Sequence, residues 1–113
     1  MSDCIFCQIV SGSIPSSKLY EDDQILAFRD INPQAVVHFI VIPKQHIDSA
    51  DRIDASNSAV VARIFEQIPQ ICAQLGLRDG YRVLTNVGKH GAQSVKHLHF
   101  HVLGGEQLSE RLK

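Results

Sequence analysis

The sequence predicts an α+β fold in which an antiparallel sheet of about five strands, an ordinary size for a sheet, carries two helices. Three stretches predict it. In His97-Leu98-His99-Phe100-His101-Val102-Leu103 imidazoles alternate with large apolar side chains. Successive strand residues point to opposite faces, so His97, His99 and His101 fall in one row and Leu98, Phe100 and Val102 in the other. A helix turns by roughly 200° over two residues and would scatter the same imidazoles. Residues 36–42 form a β-branched run too short to prefer helix, ended by Pro43. Residues 56–75 instead place Val60, Val61, Ile64, Phe65, Ile68, Ile71, Cys72 and Leu75 at helical spacing. Strand-like segments outnumber helical ones and neighbour one another as hairpins, which favours antiparallel pairing.

Along the chain, Asp3 is expected to cap a short helix over 4–10, with Ile5, Phe6 and Ile9 as its apolar contacts and Gly12 as its stop. Cys4 and Cys7, three apart, share one side of that turn. Segments 18–20 and 24–29 flank the turn Glu21-Asp22-Asp23 as a hairpin, and Asn32-Pro33 then breaks the chain. The strand over 36–42 carries one oddity, His38. The long helix over 56–75 stops at Gly76, and Pro69 inside it should kink it or loosen one turn. Asp79-Gly80 turns into a strand over 81–86, residues 87–93 form a loop containing Gly88 and Gly91, and the histidine strand over 95–103 ends at Gly104-Gly105. There is no internal repeat, low-complexity tract or linker, and the 113 residues fit a single domain over 1–113.

Composition removes several classes of function. A formal net charge of −1 provides no basic field for nucleic acid, so a bound phosphate is expected on a small molecule. No apolar run approaches the ~18 residues of a membrane span, and the N-terminal stretch lacks a signal-peptide pattern, so a soluble cytoplasmic protein with no membrane partner is expected. Three cysteines, one of them in the helical stripe, make no disulfide framework and are expected reduced. No P-loop or dinucleotide fingerprint is present, which argues against ATP hydrolysis by that route.

Three imidazoles spaced by ~6.6–7 Å along a strand would repel if protonated together, so the row reads as a chemical site. The loop Val87-Gly88-Lys89-His90-Gly91-Ala92 is glycine-rich and fits a phosphate approached by backbone N–H groups. Other residues fit two readings. A lone histidine such as His38 is often a satisfied core group, an aspartate before Asn-Pro such as Asp30 is common in plain turns, Ser94 fits the satisfaction of a strand end, and Cys4-x-x-Cys7 fits a pair of small buried residues.

The run from Gln93 to Gly105 closely resembles the signature of the histidine triad (HIT) family. The resemblance extends to the amino-terminal Ile-Phe pair, to Phe28-Arg29-Asp30-Ile31-Asn32-Pro33-Gln34-Ala35, to His38-Phe39-Ile40-Val41-Ile42-Pro43-Lys44-Gln45-His46 and to Gly80-Tyr81-Arg82 leading to Asn86. Gln93-Ser94 before the histidines and Gly104-Gly105 after them look like the Hint branch, the purine nucleoside phosphoramidases.

The resemblance implies a nucleotide-binding hydrolase that cleaves purine nucleoside 5′-phosphoramidates or related conjugates. His99 would attack the α-phosphorus, its tautomer fixed by a backbone carbonyl of its own strand. His101 would contact phosphate and help transfer protons, His38 would support the imidazole network, and Ser94 would bond the leaving group or a phosphate oxygen. Asp30 would accept from the ribose hydroxyls, Phe28 and Ile31 would pack on sugar or base, and Asn86 and Gln93 would stand on the phosphate side. Ala92 replaces the glycine most often found there in the Hint branch, and its methyl would either slightly narrow the phosphate cradle or be harmless. Cys4, Cys7, His46 and His97 would hold a structural zinc, no organic cofactor is implied, and the working form would be a homodimer. Neutral imidazole is a good nucleophile near pH 7, and a phosphohistidine divides one difficult hydrolysis into two displacements. A dinucleoside polyphosphate hydrolase of the same family, or a non-catalytic nucleotide-binding protein, are the alternatives.

Overall fold

The structure, a computed structural model, describes residues 3–113. Five antiparallel strands, β1 (Lys18–Glu21), β2 (Ile25–Arg29), β3 (Val37–Pro43), β4 (Tyr81–Leu84) and β5 (Phe100–Gly104), form one sheet in the order β1-β2-β3-β5-β4. Helices α1 (Ile5–Ser11) and α2 (Ser58–Gln74) accompany it, with a single 3-10 turn at Ala50–Arg52 that the sequence did not predict. The α+β architecture of five strands and two helices is as expected.

Strand alternation sorts the apolar residues into two cores. Ile25, Ala27, Phe39, Val41, Phe100 and Val102 pack with Ile64, Ile68, Ile71 and Cys72 of α2. Leu26, Phe28, Ile40 and Ile42 turn the other way and pack with Phe6 and Ile9 of α1. Both faces of the central strands are therefore covered, and burying each large side chain contributes about 1.5–3 kcal/mol. Ile40 pairs with His101 across the β3–β5 ladder, so His101 stands on the α1 side, where His38, two residues before Ile40, also points.

Three local expectations need correction. Cys4, not Asp3, is the N-cap of α1, its Sγ accepting the Cys7 N–H at 3.3 Å, while Gly12 ends the helix as expected at φ +86°. The long helix continues through Pro69 to Gln74, with Pro69 on its exposed side, where the carbonyl it leaves without a donor can reach water. The histidine strand starts only at Phe100. His97 and His99 lie in an irregular run before it, and the intervening Leu98 N–H bonds to the Ile47 carbonyl at 2.6 Å, outside any strand ladder.

Candidate active site

The end of β5 and the run before it meet β3 and α1 on one face of the sheet, and four histidines collect there. His97, His99 and His38 are buried and His101 is partly exposed. The His99 and His101 ring centroids are 5.0 Å apart, and Phe6 of α1 closes over His99 with its ring edge-on at 5.1 Å. The apolar alternation of Leu98, Phe100 and Val102 anchors this run in the α2 core, which is what turns the imidazoles toward α1.

Partners that can only donate or only accept fix every tautomer. His99 Nδ1 lies 2.7 Å from the His97 carbonyl, which can only accept, so Nδ1 carries the proton and Nε2 is left with its lone pair. The Thr85 hydroxyl donates to the His99 carbonyl at 2.7 Å and steadies the same residue. The Gln34 backbone N–H donates to His38 Nδ1 at 3.0 Å, so the His38 proton is on Nε2, which lies 2.9 Å from His101 Nδ1 and 3.4 Å from Asp30 Oδ2. His101 Nδ1 is thereby the acceptor, and its own proton sits on Nε2, at the opposite edge of the ring. A nitrogen with a free lone pair and an N–H donor thus belong to neighbouring rings whose centroids are 5.0 Å apart.

Burial pushes His99, His38 and His101 below the ordinary histidine range. For His101 the neighbouring His99 and His38 add to burial, Asp30 opposes them, and the result is about 4. All three rings are neutral at pH 7, the state the tautomers above require.

Other expected site residues fall into two groups. Asp30 is within reach of both His38 and His101, and its second oxygen accepts the Asn32 N–H at 2.7 Å, so the turn and the site share one carboxylate. Phe28 is buried edge-on against Phe6 at 5.6 Å. Asn86 donates to the Gly91 carbonyl at 2.7 Å, and Gln93 donates to the carbonyls of Asp48 and Val95 while accepting the Gly88 N–H, so both side chains brace the loop. Ile31 and Ser94 are exposed and reach outward. A cleft lined by residues 76–82 and 105–108 shares no lining residue with the histidines.

The phosphate-cradle reading of the loop needs qualification, because the Ala92 and Gln93 N–H groups are bonded to the Lys89 and Gly88 carbonyls. A side chain on Gly91 would meet the Val87 backbone nitrogen at 2.7 Å, so glycine is required there for space. Ala92 adopts φ +60°, where an L-residue is strained by roughly 1–2 kcal/mol. Glycine relieves that strain but costs about 0.4–1 kcal/mol through the freer unfolded chain. Ala92→Gly should therefore raise stability by about 0.5 kcal/mol in urea unfolding; a clear loss would contradict the strain.

Beside His99 and His101 lies a second cluster. Cys4 Sγ is 3.3 Å from His97 Nδ1, Cys7 Sγ is 3.5 Å from the same nitrogen and 3.3 Å from His46 Nδ1, and all four donor atoms lie within 4.8 Å of one another. In a tetrahedral zinc site with bonds of about 2.3 Å to sulfur and 2.0 Å to nitrogen, sulfur and nitrogen would stand about 3.5 Å apart. The set fits. His97 Nε2–H donates to the Pro43 carbonyl at 2.8 Å and His46 Nε2 faces Asp48 Oδ1 at 2.8 Å, which turns both Nδ1 atoms to the thiols. All three cysteines are thiols. Sequence reasoning missed Thr85, Asp48 and Gln34; only Asp48 left a signal, as a carboxylate two residues after a ligand histidine.

Comparison with known proteins follows from this geometry. Residues 3–113 match a family model described as "Scavenger mRNA decapping enzyme C-term binding". Protein HitA of Neisseria gonorrhoeae is 40% identical over 104 residues, covering 92% of this chain and 97% of that protein. The structure of a HIT family hydrolase from Clostridium thermocellum superposes with a TM-score of 0.96 at 38% identity, over 100% of this chain and 99% of that one. A histidine triad protein from Clostridium difficile gives 0.94 at 46% identity, over 98% and 97%.

Proposed function

The chain belongs to the histidine triad (HIT) family, and on that footing we propose that it is a purine nucleoside phosphoramidase working through a nucleotidyl-His99 intermediate. One observation carries the reading. The His97 carbonyl holds the proton on His99 Nδ1 and leaves the Nε2 lone pair on a ring whose centroid lies 5.0 Å from that of His101.

In the first displacement the His99 Nε2 lone pair forms a bond to phosphorus while the bond to the leaving nitrogen breaks with its electron pair, and that nitrogen departs as an amine after taking a proton from solvent water. Water then attacks the nucleotidyl-His99, the N–P bond breaks, and His99 recovers its lone pair. The proton released by the water replaces the one the amine took, so the cycle consumes only water. His101 Nε2–H donates to the phosphoryl oxygens and stabilises the charge they gain, the kind of preorganised donor worth most in a partly desolvated site. Asp30 and Ile31 face the ribose and base, and Ser94, with the loop braced by Asn86, Ala92 and Gln93, faces the phosphate and leaving group.

Cys4, Cys7, His46 and His97 would hold zinc, whose four protein ligands leave no open position, so its contribution is to tie α1 to the run before β5. A second reading, a dinucleoside polyphosphate hydrolase, is favoured by the matched family model, whose name concerns mRNA decapping. Parallel incubation with an adenosine 5′-phosphoramidate and with diadenosine polyphosphates, following AMP release, separates them. Faster turnover of the phosphoramidate is expected, and preference for polyphosphates would replace the first reading by the second.

The working form is proposed to be a cytoplasmic homodimer. β4 is an edge strand within the protomer, and Tyr81 on it is partly exposed, which supports sheet-to-sheet association there. Sedimentation equilibrium should give a dimer at micromolar concentration, and a monomer would contradict it. No helix of the described residues is long and apolar enough to cross a membrane.

A further inference from the structure

The His38 tautomer depends on a backbone N–H in a loop, and that loop is held from the far end of the chain. Asp30 N–H donates to the His38 carbonyl at 3.1 Å and closes the excursion between β2 and β3, while the Asp30 and Gln34 side chains bond to Asn32 inside it. Its last turn is fastened elsewhere. The Val36 N–H donates to Glu106 Oε2 at 2.7 Å, across 70 residues of sequence. The approach is close on both sides of that bond. A side chain on Gly105 would meet Val37 Cγ2 at 3.1 Å and Val36 Cβ at 3.3 Å, and Gly105 itself takes φ +84°, so a glycine before Glu106 lets this segment pack closely against the Val36 and Val37 side chains.

We propose that Glu106 is a positioning residue for the phosphate-facing histidine. By fastening Val36 it keeps the loop closed, so that Gln34 N–H occupies His38 Nδ1, His38 Nε2–H occupies His101 Nδ1, and the His101 proton is confined to Nε2. Without the fastening, Gln34 N–H withdraws and His38 becomes free to carry its proton on Nδ1. His38 Nε2 then accepts, His101 Nδ1 must donate, and a neutral His101 presents a lone pair where the phosphate needs an N–H. The groups facing His101 are His38, His99 and Asp30, and none of them supplies a substitute donor to its Nδ1. The role deepens the phosphoramidase reading and rests on it only for its kinetic consequence.

The test joins ring-nitrogen NMR with kinetics on Glu106→Ala and Glu106→Gln. The exposed position makes a loss of folding unexpected, and amide spectra check it. The unaltered chain should show His38 protonated on Nε2. In Glu106→Ala that signature should give way to Nδ1 or mixed protonation, and kcat for an adenosine phosphoramidate should fall by between about fivefold for a mixed population and about a hundredfold for complete loss of the His101 donor, with KM within twofold. Glu106→Gln keeps an acceptor oxygen and should retain both the tautomer and the rate. A His38 tautomer unchanged in Glu106→Ala, or lost equally in Glu106→Gln, overturns the proposal. Loss of the tautomer in Glu106→Ala alone, in a chain that turns over no phosphoramidate, leaves the positioning role standing and sinks the phosphoramidase reading instead.

Discussion

Replacing His99 by asparagine should lower AMP release from an adenosine phosphoramidate by about four orders of magnitude or more, the scale seen when a nucleophile is removed. Asparagine keeps an N–H that can meet the His97 carbonyl, so the run before β5 should hold its course. What is lost is the lone pair on Nε2 and the edge contact with Phe6, the latter worth about 1 kcal/mol of stability. His101→Asn removes a donor instead of the nucleophile and should cost about a hundredfold. The pH dependence has a definite sign. Burial lowers the His99 pKa, so the nucleophilic neutral form persists as pH falls and the acid limb of the rate should lie below the ordinary histidine value of 6.5. Unchanged AMP release in His99→Asn would remove His99 from the chemistry.

Chelating the zinc proposed at Cys4, Cys7, His46 and His97 should be the largest perturbation of stability. A metal present at about a thousand times its dissociation constant contributes about 4 kcal/mol. At about 4 °C per kcal/mol for a domain of this size, chelation should lower the melting midpoint by about 15 °C. Cys4→Ser should do nearly the same. Serine is itself a favoured N-cap, so the fall would report the lost thiolate and not an uncapped α1. Activity should fall as well, because the His97 ring faces the thiols while its carbonyl fixes His99. Absence of zinc in metal analysis of the purified protein, with an unchanged melting midpoint in Cys4→Ser, would remove the site.

The alternation of His97 to Val102 made the site legible because side-chain spacing is written directly in sequence. It misplaced the strand's start for a physical reason. His97 turns to the thiols and Leu98 bonds to Ile47, so the ladder cannot begin before Phe100. Asp3 was a sound capping residue by type, yet Cys4 took the position, because its sulfur both caps α1 and faces His97. The bonds from Gln34 and Val36 were illegible, since a backbone N–H belongs to nearly every residue and its direction depends on tertiary closure. Ile31 and Ser94, assigned through resemblance, stand exposed, and no packing or burial pattern in the sequence could have pointed to them.

The strand order has a consequence for synthesis. β5 follows every other strand in the sequence yet lies between β3 and β4 in the sheet. Until it leaves the ribosome, β4 has no neighbour and the α2 core lacks Phe100 and Val102. The nascent chain must wait with an unfinished sheet, and the segment that closes it also brings in His99 and His101. A message cut short before that point yields an incomplete sheet, with unpaired strand edges and core surface exposed to proteolysis.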